Sequence, residues 1–324
     1  MKIKNLVMFA IVGLTMTACS SKDDFSQDTS PKPIVIKAGI NGMDSKTRAT
    51  GDATALQNTA FLNGEKINVY LQEYTNSTYT NIDGVPADPG FIVYENNSGT
   101  WEPSTETTPT TQLLCPKINS IYTLGIYPSK DAEGSYITKD TREFTVASNQ
   151  TSDDNYRKSD LMFSSMCSWN RDEDVELYFN HRLTKITIEV DPTGYMSEQN
   201  FKNNVTYIGV KANRNALLDE NFNVTSTTSS KGNWVALWEG DAGTYNSNSV
   251  SCIIPPQTIS EGDNCIDVDL GQAYYYYKAP AGGLTFKAGK EYKFTISLAD
   301  KNFVLGQPWI NDWSTEPTFI GTAD

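Results

Sequence analysis

The chain has 324 residues and carries 26 Lys/Arg against 39 Asp/Glu, a formal net charge of −13. An acidic surface of this kind repels nucleic acid and anionic membranes, which excludes a nucleic-acid-binding role. The length accommodates about two domains, each able to bury its own core.

The N-terminus, MKIKNLVMFAIVGLTMTAC, places Lys2 and Lys4 before an apolar run over 6–14. The run is too short to span a bilayer and reads as a secretory signal, residues 1–18. Cys19 follows Met16-Thr17-Ala18, as a bacterial lipobox requires. Its thiol is expected to carry a lipid, palmitate among its acyl chains, and to hold the precursor at the outer membrane. Each buried CH₂ contributes about 0.8 kcal/mol to such an anchor. Residues 19–32 are polar without hydrophobic period and are expected to be a tether.

The first strand expected is 33–41. Ile34, Ile36, Ala38 and Ile40 alternate with Val35, Lys37, Gly39 and Asn41, so one face is apolar. A polar loop follows, DSKTRATG at 44–51, with the Arg48–Ala49 bond inside it. Short helical turns are expected at most at 52–64 and 197–204. Otherwise strands follow one another: 66–73, 91–95, 120–128, 142–146, 174–179, 183–190, 205–212, 234–239, 250–255, 265–270, 274–278 and 291–298. They are rich in Thr, Tyr, Val and Ile, and Gly/Pro/Asn/Asp turns separate them. The stretch 147–160 reads as a polar loop. The fold class is therefore all-β, with two antiparallel β-sandwich domains at 33–172 and 173–324 and a boundary near SWNRDED at 168–174.

Catalytic signals are absent from the sequence. There is no dinucleotide fingerprint, phosphate loop or nucleophile elbow. The one histidine, His181, alternates with Phe179 and Leu183 and is expected to be structural, bonded to backbone. Asp153-Asp154 and Asp172-Glu173-Asp174 read as solvated loops, with calcium binding the minor alternative. Neither a metal site nor a cofactor is expected. The strand YYYYK, 274–278, offers tyrosines for stacking against sugars, although alternation sends half of them to the core. Besides Cys19 there are Cys115, Cys167, Cys252 and Cys265, with no C-x-x-C spacing. Cys252 and Cys265 flank a turn, which leaves a local bridge or free buried thiols open.

Several segments in this order resemble the fimbrillin-like lipoproteins of the Bacteroidetes, which build type V pili. They are Cys19, KTRAT (46–50), SIYTLGIYP (120–128), SDLMF (159–163), FNHRLTKITIEV (179–190), IIPPQTI (253–259), FKAGKEYKFTISL (286–298) and INDW (310–313). Lys22-Asp23-Asp24 likewise resembles the surface-export signal of such lipoproteins. The resemblance implies paired transthyretin-like sandwiches and a non-enzymatic subunit. It also implies an outer-membrane precursor that a trypsin-like, Arg-specific protease cuts at Arg48–Ala49. Loss of residues 33–48 would open a groove for a strand of another pilus subunit, and the mature form would sit in the fimbrium at the cell surface. The receptor stays unspecified. The tail STEPTFIGTAD after Trp313 is short and carries Pro317, a weak donor strand, which points to a tip or accessory subunit rather than the stalk. A surface-anchored glycan-binding lipoprotein is the alternative reading.

Overall fold

A computed structural model describes residues 32–40, 60–75, 77–115, 121–170, 173–228, 234–247, 249–298 and 308–313. Cys19, Arg48 and Ala49 lie outside the described residues, as does most of 52–64. Among these residues strands dominate, as the period-two runs require, and two short helices accompany them. Glu198–Asn204 is one, capped by Ser197 and anchored by buried Phe201.

The second helix, Asp153–Lys158, departs from the loop expected at 147–160. Its cause is local. Ser152 accepts the Asn155 N–H as N-cap, Asp153 and Asp154 occupy the first turn, and Arg157 and Lys158 the last, matching the helix dipole. Asp154 pairs with Lys158 at 2.8 Å, and Tyr156 is buried beneath.

The first large sheet has the central path Ile36–Ile40, Val175–His181, Met162–Ser164, Ile121–Tyr127, Lys66–Thr75, Ile92–Asn97, Thr100–Pro103. Its first and last strands approach to within 8 Å between Cα atoms, so the sheet curls on itself. Ile67, Val69 and Leu71 fill the core inside the curl, while Tyr70 between them faces a second, larger core. That larger core lies between two four-stranded sheets. One orders Ser249–Ile254, Thr184–Asp191, Lys290–Ser297 and Trp309–Asp312; the other orders Trp234–Glu239, Tyr207–Lys211, Asn264–Asp269 and Tyr274–Lys278. Ile186 and Phe294 of the first meet Val210 and Ile266 of the second, the packing of a β-sandwich.

The position 172/173 does not fall between sheets. Val175–His181 belongs to the first sheet, and Glu143–Thr145 pairs with Asn215–Leu218. One apolar core also runs from Tyr70 and Phe91 through to Ile188 and Phe294.

Cys167, Cys252 and Cys265 are free thiols. Cys252 and Cys265 lie on different sheets of the sandwich, which settles the open question of a local bridge between them. Burial raises both thiols, Cys265 up to about 12, so neither forms thiolate near neutral pH.

Candidate functional site: the seat of the first strand

The apolar alternation of residues 34–40 needs a sheet to bury it, and the structure supplies one. Ile36–Ile40 runs parallel to Val175–His181, with Ile36 opposite Val175 and Ile40 opposite Phe179. Just before it, Lys32–Pro33 pairs with Leu114–Cys115, and the Ile34 N–H donates to the Leu113 carbonyl at 2.8 Å. The Gln112 side-chain amide donates to the Ile34 carbonyl at 2.9 Å, and the Val175 N–H donates to the Val35 carbonyl at 2.8 Å. Nine residues thus cross from one strand partner to another, hydrogen-bonded to two distant parts of the chain.

Side chains follow the predicted faces. Ile34, Ile36 and Ile40 are buried, with Ala38 packed at their margin, while Val35 is 39% exposed. The floor beneath is aromatic. Phe61 sits 5.2 Å from Trp101, 5.3 Å from Tyr127 and 5.3 Å from Phe179, ring centre to ring centre. The Phe179 ring rests on Gly125, where an added Cβ would stand 2.5 Å from it. On the outer face, Lys37 meets Asp174 at 2.7 Å. Hydrogen bonding to that carboxylate and its charge raise the Lys37 pKa.

Among the described residues only one flank of Ile36–Ile40 is paired. Val175–His181 holds it on one side; on the other, Thr100–Pro103 comes near without a ladder. Three buried isoleucines contribute about 1.5–3 kcal/mol each. Ordering costs about 1–2 kcal/mol for each backbone residue fixed. Over nine residues the ordering cost is at least as large as the burial term, so backbone hydrogen bonds and the covalent connection are needed to keep the segment seated.

His181, at the end of the same supporting strand, is not bonded to backbone as expected. Its Nδ1 lies 2.8 Å from Asp160 Oδ1, both side chains are buried, and its ring stacks on Trp313 with centroids 3.8 Å apart. His181 Nε2, Asp160 Oδ2 and Trp313 Nε1 have no partner among the described residues. The cluster ties the last described residue to the strand that seats the first. Among the described residues no group of three or more His, Cys, Asp or Glu could hold a metal ion. No described helix is long and apolar enough to cross a membrane. In YYYYK, Tyr275 and Tyr277 are buried while Tyr274 is 41% exposed.

Sequence reasoning finds the isoleucines of the seat but not its walls. Phe61, Trp101 and Leu113 lie outside the expected strands, and no local pattern marks them.

Comparison with known proteins agrees with this architecture. The fimbrillin-like family model matches residues 47–313. The crystal structure of a candidate cell adhesion protein of Bacteroides ovatus superposes with a TM-score of 0.63 at 18% identity, covering 89% of this chain and 100% of that one. A second, from Bacteroides uniformis, gives 0.56 at 16% identity, covering 88% and 99%. No curated protein matches in sequence. At these identities the superpositions show the fold, and the family match extends over most of the sequence. The chain belongs to the fimbrillin-like family, and with it to the structural proteins of cell-surface fimbriae.

Proposed function

We propose that the chain is the lipoprotein precursor of a type V-like pilus subunit, cut after Arg48 and assembled by strand exchange at the seat described above. The observation that carries the reading is a strand with a wholly apolar buried face that, among the described residues, is laddered on one side only. While the loop after Ile40 is intact, the segment is tethered and rebinds at high effective concentration. Cutting Arg48–Ala49 turns that closure into a bimolecular one, and the released piece stays with the lipid on Cys19. The vacated edge then offers unpaired Val175–Phe179 backbone groups and an aromatic floor to another subunit, by β-strand addition. Family membership supports the reading. So does the start of the family match at residue 47, beside Arg48, which leaves the seated segment outside it.

The partners are other pilus subunits, an Arg-specific trypsin-like protease and, before the cut, the outer membrane. Pro317 interrupts the alternation after Trp313, which favours a tip or accessory subunit that accepts a strand without passing one on.

Treatment of the purified precursor with an Arg-specific protease tests this. The expected product begins at Ala49 and associates with further subunits. A product that keeps residues 33–48 bound and stays monomeric through dilution contradicts the proposal. Cys19→Ala is expected to release the precursor from membranes; retention there contradicts the anchor.

A further inference from the structure

We propose that the solvent face of the strands Tyr207–Lys211, Asn264–Asp269 and Tyr274–Lys278 binds a neutral sugar ring, with Tyr274 and Tyr276 as stacking platform and the Asp267 carboxylate as hydroxyl acceptor. The inference is independent of strand exchange and goes beyond it.

Alternation builds the face. Ile266 and Val268 enter the core, so Asp267 between them points outward. Tyr275 and Tyr277 are likewise core residues, which leaves Tyr274 and Tyr276 outside, their ring centroids 5.5 Å apart. In register, Gly209 lies opposite Asp267 and Asp267 opposite Tyr276. Tyr207 folds its ring over Gly209; an added Cβ there would stand 2.2 Å from the Tyr207 hydroxyl. A carboxylate on the outer surface of a sheet is thus walled by three tyrosines and only 4% exposed.

The hydrogen bonding of Asp267 is incomplete. The Tyr274 hydroxyl donates to Oδ2 at 2.5 Å, while Oδ1 has no partner among the described residues. A buried acceptor left unpaired is costly, and a donor that reaches it recovers that cost. Burial pushes the Asp267 carboxyl up to about 6, which leaves it mostly ionised near neutral pH.

A pyranose matches these features together. Its C–H face packs on aromatic rings and its hydroxyls donate to a carboxylate. Asp267, with Asp269 and Glu239 opposite Tyr207, disfavours uronic and sialic acids and selects an uncharged ring.

Affinity electrophoresis of the full mature chain in gels containing mannan, arabinoxylan or galactan, with polygalacturonate as the acidic comparison, tests the site. Retardation is expected in at least one neutral gel and not in polygalacturonate. Tyr274→Ala and Tyr276→Ala are expected to abolish it. Asp267→Asn, nearly isosteric, is expected to weaken it at least about tenfold and carries the test if an alanine variant loses its melting transition. Tyr74→Ala, in the separate exposed cluster with Tyr79 and Tyr122, is expected to leave binding unchanged. Absence of retardation in every neutral gel, retardation by the acidic polymer alone, or retention that survives Asp267→Asn overturns the proposal. So does self-association that Tyr276→Ala removes without any sugar binding, since the face is then a contact between copies.

Discussion

Among the described residues two strand pairs are parallel in otherwise antiparallel sheets, and they differ in how they are flanked. Thr184–Asp191 and Lys290–Ser297 pair over seven residues in the middle of a sheet, with Ser249–Ile254 on one side and Trp309–Asp312 on the other. Ile36–Ile40 and Val175–His181 pair over five, and among the described residues Ile36–Ile40 has no hydrogen-bonded strand on its other side. Side-chain burial is alike: Ile188 and Phe294 in one pair, Ile36 and Ile40 in the other, are all at most 3% exposed. Permanence therefore depends on the number of ladders and the covalent connection, and apolarity alone does not decide it. Removing the central pair destroys three ladders and the sandwich core. Removing the edge segment leaves one open ladder and a filled fold beneath.

Mutations should separate the two regions. Phe294→Ala opens a cavity in the central pair and is expected to cost about 3–5 kcal/mol, read as a lower midpoint for the whole chain in denaturant melts. Ile36→Ala is expected to cost about 2 kcal/mol or more, but locally. Hydrogen exchange should rise at 33–40 and Val175–Phe179 while the sandwich strands keep their protection. A global loss equal to that of Phe294→Ala would erase the contrast. Gly125→Ala forces the Phe179 ring off the sheet and is expected to cost about 1–3 kcal/mol, again with most of the exchange change near Ile40.

Asp267 gives a pH-dependent effect in the sandwich. Its folded pKa, about 6, exceeds the ordinary carboxyl value of 3.8 because of burial, while the Tyr274 hydroxyl and Lys211 oppose the rise. Between those values the folded state holds more of the proton, so this carboxyl's contribution to stability falls as pH rises from about 4 to about 6. Asp267→Asn should therefore raise the melting temperature relative to the parent more at pH 7 than at pH 4; an equal change at both contradicts the assignment. Lys37→Ala removes an exposed ion pair and should leave the melting temperature unchanged within error, since such pairs are screened by solvent.

Much of this architecture is legible in the sequence because buried strands alternate. Residues 34–40, 184–191 and 290–297 show the period directly. The edge strand Trp309–Asp312 does not: Trp309 and Ile310 are adjacent and both mostly exposed, so no alternation marks it. The helix at Asp153–Lys158 carried its cap and its charge order in plain view, and the polar composition of 147–160 masked them. The Asp160–His181–Trp313 cluster joins residues far apart in the chain, and neither neighbour could be inferred from the strand that carries His181. The seat itself was half legible, its isoleucines by pattern and its aromatic walls only through the fold.

Hydrogen exchange at Val175–Phe179, measured before and after cleavage at Arg48–Ala49, tests the central claim most directly. The account predicts slow exchange in the precursor, fast exchange once the released piece is diluted away, and slow exchange again on adding a synthetic peptide of residues 33–40. Protection that persists after the cut and after dilution would mean the first strand never leaves its seat, contradicting assembly by exchange.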